Sequence, residues 1–252
     1  MSDSGVKTDE KKQHFDDIYV AEDPVPFKER ILDELQYVSD NFNRQTFDRL
    51  ILDWAQQQAG SGPVNLVDLA GCFGNTTMAC VNGMDYEGIR ENWKNADAAK
   101  QVNQARRFDA KVTGIDISQN ALAYGKSAGV YDETIDADLN APDADKQARL
   151  DQAISEAQIM ISTAALVYLE TEAVERVLDA FAKGDGEGYL LVNFLNPFAL
   201  EAADSAKHAL LERFEFVGSM ASRHRLMSQI ERDNYPGEEW VMLEIWVLKR
   251  KQ

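Results

Sequence analysis

The chain has 252 residues and a formal net charge of −17, and 44% of its residues are hydrophobic, enough to bury a substantial core. The acidic balance argues against a nucleic-acid partner, because phosphate binding needs a basic surface. No run of 18 apolar residues occurs in the sequence, which argues against a transmembrane helix and an integral membrane protein.

Cysteine, histidine and the N-terminus indicate the compartment and exclude a metal site. Cys72 and Cys80 are the only cysteines, too few for a disulfide framework or a zinc site. The histidines at 14, 208 and 224 are not spaced as a metal-ligand pair, so no metal is predicted. The first twenty residues are polar and contain no apolar stretch of a secretory signal. We therefore expect a cytoplasmic protein.

Two helices are predicted before the first strand. Residues 1 to about 18 are polar and are expected to form a tail. Apolar residues recur at helical spacing from Ile31 to Phe42, and a second helix is predicted from about Asn43 to Trp54. The turn residues 60–63 then end this part. We predict two units, a tail with a helical lid over residues 1–62 and a ligand-binding domain over residues 63–252.

Strands and helices alternate after residue 63. Strands are predicted at 64–69, 111–117, 133–137, 157–165, 189–195, 214–220 and 240–248, and helices at 120–128, 170–182 and 199–211. A charged insertion at 84–109 is also predicted to be helical. No full crossover helix fits between the last two strands, so these are expected to pair antiparallel. The fold class is thus α/β, a Rossmann-like seven-stranded mostly parallel sheet with an antiparallel last pair and helices on both faces.

The turn after the first strand is the most informative segment. The strand ends at Asp68 and Leu69, and Ala70, Gly71 and Gly74 follow before a helix begins. Glycine permits unusual dihedrals and close approach to a ligand, and a helix start directs free amide groups into the same crevice. The pattern favours a nucleoside ligand at this edge of the sheet, with an ordinary βα turn as the alternative.

Two further carboxylates end the next strands. Asp116 follows the second strand, where a carboxylate accepts both hydroxyls of a ribose. The alternative is a helix N-cap, although Ser118 already serves that purpose. Asp138 follows the third strand and is placed to accept the amino group of adenine. Its alternative is a solvated acidic loop, because several other acids are nearby.

These motifs together resemble the class I S-adenosylmethionine-dependent methyltransferases. The resemblance covers residues 64–250 and is closest in the stretch from Val112 to Gly125. It departs from the family in the turn, where Ala70 and Cys72 stand at the first two glycine positions. Residues 68–75 are similar to a bacterial subgroup that carries cysteine and an aromatic residue there.

The resemblance implies a cofactor and the residues that bind it. The cofactor is S-adenosylmethionine, and the adenosyl-binding positions would lie at the carboxyl ends of the first four strands. The cofactor-binding residues implied are Asp68, Ala70, Gly71, Gly74, Asp116, Ile117, Asp138, Leu139 and Thr163. A nicotinamide dehydrogenase is disfavoured, because the turn lacks the spacing Gly-x-Gly-x-x-Gly and Asp116 lies far beyond the expected acid.

Candidate catalytic residues follow less directly from the sequence than the cofactor-binding residues do. Tyr168, just beyond the fourth strand, could hydrogen-bond a nucleophile, and Asn196, at the end of the fifth, could face the substrate. Tyr19 in the predicted lid could cover the cofactor. Local packing is the alternative for Tyr168 and Tyr19, and a turn before Pro197 for Asn196. The basic run 223–225 is predicted to be a solvated strand edge, with an anion site as the alternative.

The prediction for function is a methyltransferase that acts on a small-molecule substrate, with a place in biosynthesis. One alternative is a methyltransferase-like cyclase that uses S-adenosylmethionine itself as substrate and forms azetidine-2-carboxylate and methylthioadenosine. A second alternative is a non-catalytic module that binds an adenosyl ligand. The oligomeric state does not follow from the sequence.

Overall fold

A computed structural model of the protein describes residues 11–251. The first ten residues of the predicted polar tail lie outside this range. The strands are β1 (Val64–Leu69), β2 (Ala110–Asp116), β3 (Glu133–Asp136), β4 (Ile159–Ser162), β5 (Tyr189–Asn196), β6 (Phe214–Leu226) and β7 (Trp240–Arg250). Every one overlaps a predicted strand, but β4 is shorter than predicted and β6 is longer.

The strands form one seven-stranded sheet in the order β3-β2-β1-β4-β5-β7-β6. Neighbouring strands are parallel from β3 to β5, and β7 is antiparallel to both β5 and β6. This confirms the predicted fold class. The chain proceeds outwards in one direction from β1 to β3 and in the other from β4, so the strand order reverses between β1 and β4. Ligands of open α/β sheets bind beside such a reversal, outside the carboxyl ends of the strands.

Twelve α-helices and two other helical turns surround this sheet within residues 11–251. The helices before β1 are α1 (Asp16–Tyr19), α2 (Val25–Phe27), α3 (Ser39–Leu50) and α4 (Leu52–Ala59), with a π-helical turn at Lys28–Asp33. Those from β1 to β3 are α5 (Asn75–Cys80), α6 (Tyr86–Asn92), α7 (Ala96–Ala99) and α8 (Gln119–Ser127). The rest are α9 (Ala144–Glu156), α10 (Thr171–Ala182), α11 (Leu200–Arg213) and α12 (Gln229–Asn234), with a 3-10 turn at Leu166–Tyr168.

Hydrophobic cores lie on both faces of the sheet. Side chains alternate along a strand, and the adjacent residues Leu66 and Val67 of β1 belong to different buried clusters. One cluster contains apolar residues of α3, α5 and α8, and the other contains those of α9, α10 and α11. Phe47 of α3 is fully buried in the first cluster, so the helices that precede β1 share a core with the sheet.

The N-terminal helices differ from the prediction. A single helix from Ile31 to Phe42 is wrong, because the π-helical turn ends at Asp33 and Gln36 has a left-handed φ of 49°. The chain turns there and α3 begins at Ser39 instead of about Asn43. The apolar residues fit one helical period, but they belong to two elements that meet at this turn.

Three connections complete the fold. The insertion at 84–109 contains the short helices α6 and α7. Helix α9, which the sequence analysis did not predict, begins at Asp143, whose side chain accepts a hydrogen bond from the Lys146 backbone N–H. The six-residue α12 joins β6 to β7, as expected for a connection without a full crossover. No helix in the described range is long and apolar enough to span a membrane.

Candidate functional site

A cavity of about 540 Å³ lies at the carboxyl ends of β1 to β4. Its walls come from these strand ends, from residues 12–20 (hereafter the N-terminal strap), from α5 and from β6. The lining includes Lys12, Phe15, Tyr19, Tyr37, Asp68, Ala70, Gly71, Cys72, Asn75, Thr76, Asp116, Ile117, Asp138, Leu139, Asn140, Thr163, Tyr168 and His224. The volume falls in the range of small-molecule sites, roughly 300 to 1,000 Å³.

The turn after β1 adopts a conformation that suits glycine at positions where the chain has none. Ala70 and Cys72 have left-handed φ angles of 54° and 48°, which side chains other than glycine adopt at a cost. Gly71 between them leaves no space for a side chain, because a Cβ atom would collide with Asp68 and lie 2.6 Å from the hydroxyl of Tyr131. Ala70 and Cys72 thus adopt left-handed conformations without being glycine, and Cys72 adds its side chain to the cavity wall.

Asp68 is removed almost completely from water, with 1% of its surface exposed. Its Oδ2 accepts hydrogen bonds from Thr77 Oγ1 at 2.7 Å and from the Tyr131 hydroxyl at 3.2 Å. Burial nevertheless raises the pKa of this carboxyl group to about 7. Asp68 can therefore bind or release a proton near neutral pH.

Asp116 connects the ends of β1 and β2. Its Oδ2 accepts from the Cys72 N–H and its Oδ1 from the Ser118 N–H, each at 2.8 Å. Burial raises the pKa of this carboxyl group. The N-cap of α8 is Ser118, whose Oγ accepts from the Ala121 N–H, so the Asp116 carboxylate is not needed as a cap. The Asp116 carboxylate, which lines the cavity, is thus held by backbone donors.

Asp138 and Leu139 line the wall beyond β3. Asp138 Oδ1 accepts from the Asn140 N–H at 2.9 Å, and the Leu139 side chain is 6% exposed. Ile117, after β2, is 54% exposed and borders the same space. A carboxylate beside two apolar side chains suits a flat heterocycle that carries an amino group.

The residues after β4 form the opposite wall. Thr163 Oγ1 lies 2.9 Å from Thr76 Oγ1 of α5. The Tyr168 hydroxyl accepts a hydrogen bond of 2.6 Å from Lys12 Nζ, which lies 4.2 Å from the centre of the tyrosine ring. Tyr168 is thus joined to the N-terminal strap across the cavity.

Two predicted site residues are not among those that line the cavity. Asn196 is exposed at the end of β5, outside the lining. Gly74 is the N-cap of α5, with φ of 80°, and a Cβ atom there would collide with Val130 Cγ1. Gly74 therefore shapes the turn from behind. The other predicted residues, including Tyr19, all border this cavity.

The N-terminal strap is held at both ends. Ser118 Oγ donates to the Tyr19 carbonyl at 2.6 Å, and Asn120 Nδ2 donates to the Val20 carbonyl at 2.8 Å. At the other end, the Gln13 N–H donates to Glu231 Oε1 of α12 at 2.9 Å. The strap thus spans from α8 to α12 and covers the cavity between them.

Sequence analysis missed the part of the site that α3 contributes. Asp40 is 1% exposed and accepts from Asn75 Nδ2 at 2.9 Å and from Thr76 Oγ1 at 3.2 Å. Burial raises the pKa of Asp40 to about 6. Asn75 and Thr76 line the cavity, so Asp40 orients two lining side chains from behind. No local signal in the sequence relates α3 to the turn after β1.

The basic run in β6 also differs from the prediction of a solvated edge. His224 and Arg225 are 5% and 2% exposed. The charge of the buried Arg225 is compensated by Glu231, through hydrogen bonds of 2.6 and 2.7 Å. Arg223 is exposed and lies over the ring of Trp240. The solvated-edge interpretation is therefore wrong for two of the three residues, and His224 belongs to the cavity wall.

No family model matches the sequence, and a search of curated proteins gives no match. Similar solved structures include a magnesium protoporphyrin IX methyltransferase from Synechocystis with bound SAM, 12% identical over 89% of this chain and 90% of that chain, with a TM-score of 0.49. A TehB-like SAM-dependent methyltransferase from Corynebacterium glutamicum is 15% identical over 78% of this chain and 86% of that chain, with a TM-score of 0.39. TehB from Haemophilus influenzae is 14% identical over 78% of this chain and 61% of that chain, with a TM-score of 0.44. The strand order β3-β2-β1-β4-β5-β7-β6 is that of the Rossmann-like seven-stranded sheet with an antiparallel last pair.

Proposed function

We propose that this protein is an S-adenosylmethionine-dependent methyltransferase that acts on a small molecule. The observation that carries the proposal is the convergence of Asp68, Asp116 and Asp138, from the ends of β1, β2 and β3, on one cavity. These are the three acidic positions that the family resemblance implies. The carboxyl ends of adjacent parallel strands at the reversal of strand order are the expected place for an adenosyl ligand.

The chemistry of the lining fits S-adenosylmethionine. Asp116 would accept the ribose hydroxyls, and Asp138 with Leu139 would hold the adenine. Asp68 and the turn around Gly71 would face the methionine end, close to Thr163. When bound, the cofactor supplies a methyl group on a sulfonium, and the aromatic rings of the wall would stabilise its positive charge by cation–π attraction, roughly 1 to 2 kcal/mol when desolvated.

A small acceptor suits the dimensions and the charge of the protein. The cavity of about 540 Å³ is covered by the N-terminal strap, which limits the size of what can enter. The net charge of −17 disfavours a polyanionic acceptor. Methyl transfer needs an in-line approach of the acceptor, and holding the reactants in place can supply about 7 to 11 kcal/mol.

Calorimetric titration with S-adenosylmethionine and S-adenosylhomocysteine tests the binding half of the proposal. We expect both to bind, and Asp116→Ala to weaken binding about 10- to 100-fold, because a charge-assisted hydrogen bond contributes roughly 1.5 to 3 kcal/mol. Asp53→Ala, at an exposed position in α4, is the matched control and should bind as the wild type does. Equal affinity of the Asp116 variant and the control would refute the ribose assignment.

A second candidate function is favoured by Asp68. Its carboxylate lines the cavity and has a pKa of about 7. It would take the proton that the amino group of S-adenosylmethionine must lose before it attacks its own γ-carbon. That attack breaks the γ-carbon–sulfur bond and gives azetidine-2-carboxylate and methylthioadenosine.

Mass spectrometry of the products separates the candidates. For a methyltransferase we expect S-adenosylhomocysteine and a product in which a methyl group replaces one proton of the acceptor, a net gain of CH2, and only when an acceptor is supplied. Methylthioadenosine formed without a second substrate would establish the cyclase instead. Tight binding with neither product, in any metabolite extract, would leave the third reading, a non-catalytic adenosyl-binding module.

A further inference from the structure

His224 has no assigned role, yet its imidazole forms part of the cavity wall. It lies in β6, far in sequence from the acidic strand ends, and is 5% exposed. Nδ1 is hydrogen-bonded to Ser39 Oγ of α3. No described residue forms a hydrogen bond with Nε2. Nε2 is also absent from the set of fully buried polar atoms that have no hydrogen-bond partner. Nε2 is therefore the ring nitrogen available to a ligand in the cavity.

Ser39 Oγ hydrogen-bonds to His224 at two atoms, the ring nitrogen Nδ1 and, at 3.3 Å, the backbone carbonyl oxygen. A hydroxyl has one proton to donate. When that proton goes to the carbonyl oxygen, Nδ1–H is the donor in the ring contact and Nε2 carries the lone pair; when it goes to Nδ1, the ring proton lies on Nε2. The first arrangement is the one that a proton-accepting Nε2 requires. Fixing a histidine tautomer through its other nitrogen is the usual way to prepare it for proton transfer.

The groups around the ring keep it neutral. Burial lowers the pKa of His224 well below its ordinary value, and the positive charges of Arg225 and Lys12 lower it further. Arg225 is itself paired with Glu231. From the side of α3 the ring meets Ser39 and Tyr37, whose ring centre lies 4.8 Å away, and both are uncharged at neutral pH. An unprotonated imidazole is the form that accepts a proton.

The wall around His224 is aromatic. Phe15 and Tyr19 of the N-terminal strap, Tyr37 before α3, and Tyr168 beyond β4 all line the cavity. Aromatic walls with a few polar groups suit a flat, weakly polar ligand. The aromatic wall of the cavity and a lone pair on His224 Nε2 therefore favour an aromatic acceptor that has a proton to lose.

We propose that His224 Nε2 is the general base of the methyl transfer and that the acceptor is an aromatic compound with a hydroxyl or amino proton. This rests on the proposed methyltransferase function. A lone pair of the acceptor oxygen or nitrogen attacks the methyl carbon, and the methyl–sulfur bond breaks with its electron pair remaining on sulfur. The acceptor proton moves to Nε2, and the products are the methylated acceptor and S-adenosylhomocysteine. The imidazolium returns its proton to water when the products leave.

The tautomer can be tested without any substrate. The chain contains three histidines, so the imidazole ¹⁵N signals of the labelled protein are few, and His224→Gln assigns the relevant pair. We expect His224 to be neutral at pH 7 with the proton on Nδ1 and a bare Nε2. A proton on Nε2, or a charged ring at pH 7, would overturn the proposal whatever the activity of the protein.

The catalytic role is tested with labelled S-adenosylmethionine and a panel of phenols and anilines. We expect His224→Gln to lower turnover of the accepted compounds about 100-fold or more, the range of general-base catalysis, with cofactor affinity changed by less than about twofold. His208→Gln, exposed on α11, is the matched control.

The outcomes distinguish this inference from the function on which it rests. Absence of cofactor binding in the wild type refutes the methyltransferase itself. Binding with turnover of aliphatic acceptors only, or a His224→Gln variant as active as His208→Gln, refutes the base and its acceptor class while the function stands. Thermal unfolding of each variant shows whether a loss of rate is a loss of fold. If His224→Gln unfolds early, Ser39→Ala must shift the tautomer and lower the rate for the proposal to survive.

Discussion

Asp40 and Asp68 are carboxyl groups that the fold keeps almost entirely from water, each 1% exposed. Neither is paired with a cation among residues 11–251, and each is held by neutral donors: Asn75 and Thr76 for Asp40, Thr77 and Tyr131 for Asp68. Such donors offset only part of the cost of burying a charge. The site therefore holds two acids that gain or lose protons close to neutrality.

Asp40 should make the stability of the ligand-free protein depend on pH. Its folded pKa, about 6, lies above its ordinary value of 3.8, so the folded state binds the proton more tightly than the unfolded state. The stabilisation is complete below pH 4 and is lost as the pH rises through 6, a difference of about 3 kcal/mol. We expect Asp40→Asn to gain stability relative to the wild type across this window.

Urea unfolding at pH 4 to 8 measures this difference. The exposed Asp53→Asn should run parallel to the wild type at every pH, because its carboxyl group is solvated in both states. A constant offset between Asp40→Asn and the wild type would mean that Asp40 titrates normally in the folded protein.

At the scale of elements, the turn from β1 to α5 depends on space as well as on backbone conformation. Gly74 and Gly129 both have φ of 80°, but a Cβ atom would collide with Val130 only at Gly74, and at Gly129 no described atom lies within 4 Å. Comparison of Gly74 with Gly129 therefore separates the steric effect of a side chain from the effect of backbone conformation. Alanine at either position meets the left-handed penalty of roughly 1 to 2 kcal/mol.

We expect Gly74→Ala to destabilise the protein by about 1 to 3 kcal/mol more than Gly129→Ala, the typical cost of overpacking. The free energies of unfolding from denaturant titration give the comparison directly. Equal losses in the two variants would show that Val130 moves aside and that only the backbone conformation matters at Gly74.

Strands were more predictable than helices in this chain. The buried strands β4 and β5 are nearly continuous apolar runs, a signal that is local and strong. Helix α9 was missed because its face carries few apolar residues and it begins in the acidic stretch around Asp143. The helix from Ile31 to Phe42 was over-predicted because a left-handed residue at Gln36 leaves no mark in hydrophobic periodicity.

At the scale of the whole molecule, one side of the cavity wall could be predicted from the sequence and the other side could not. Its acidic side was found because parallel strand ends meet at one edge of a sheet, so three local motifs imply one place. The side that His224 lines and that Asp40 supports from behind was not found, because α3 and β6 approach it from opposite ends of the chain. The burial of Arg225 depends on Glu231 in the next helix, a pairing that the charge pattern alone does not indicate.

The N-terminal strap is bound to α8 through its backbone and not through its side chains. The side chains of Ser118 and Asn120 donate hydrogen bonds to the backbone carbonyl oxygens of residues 19 and 20, and every amino acid has such an oxygen. These two hydrogen bonds therefore do not depend on which side chains stand at positions 19 and 20. Substitution of Tyr19, which is 38% exposed, would therefore change the shape of the cavity and leave both hydrogen bonds in place.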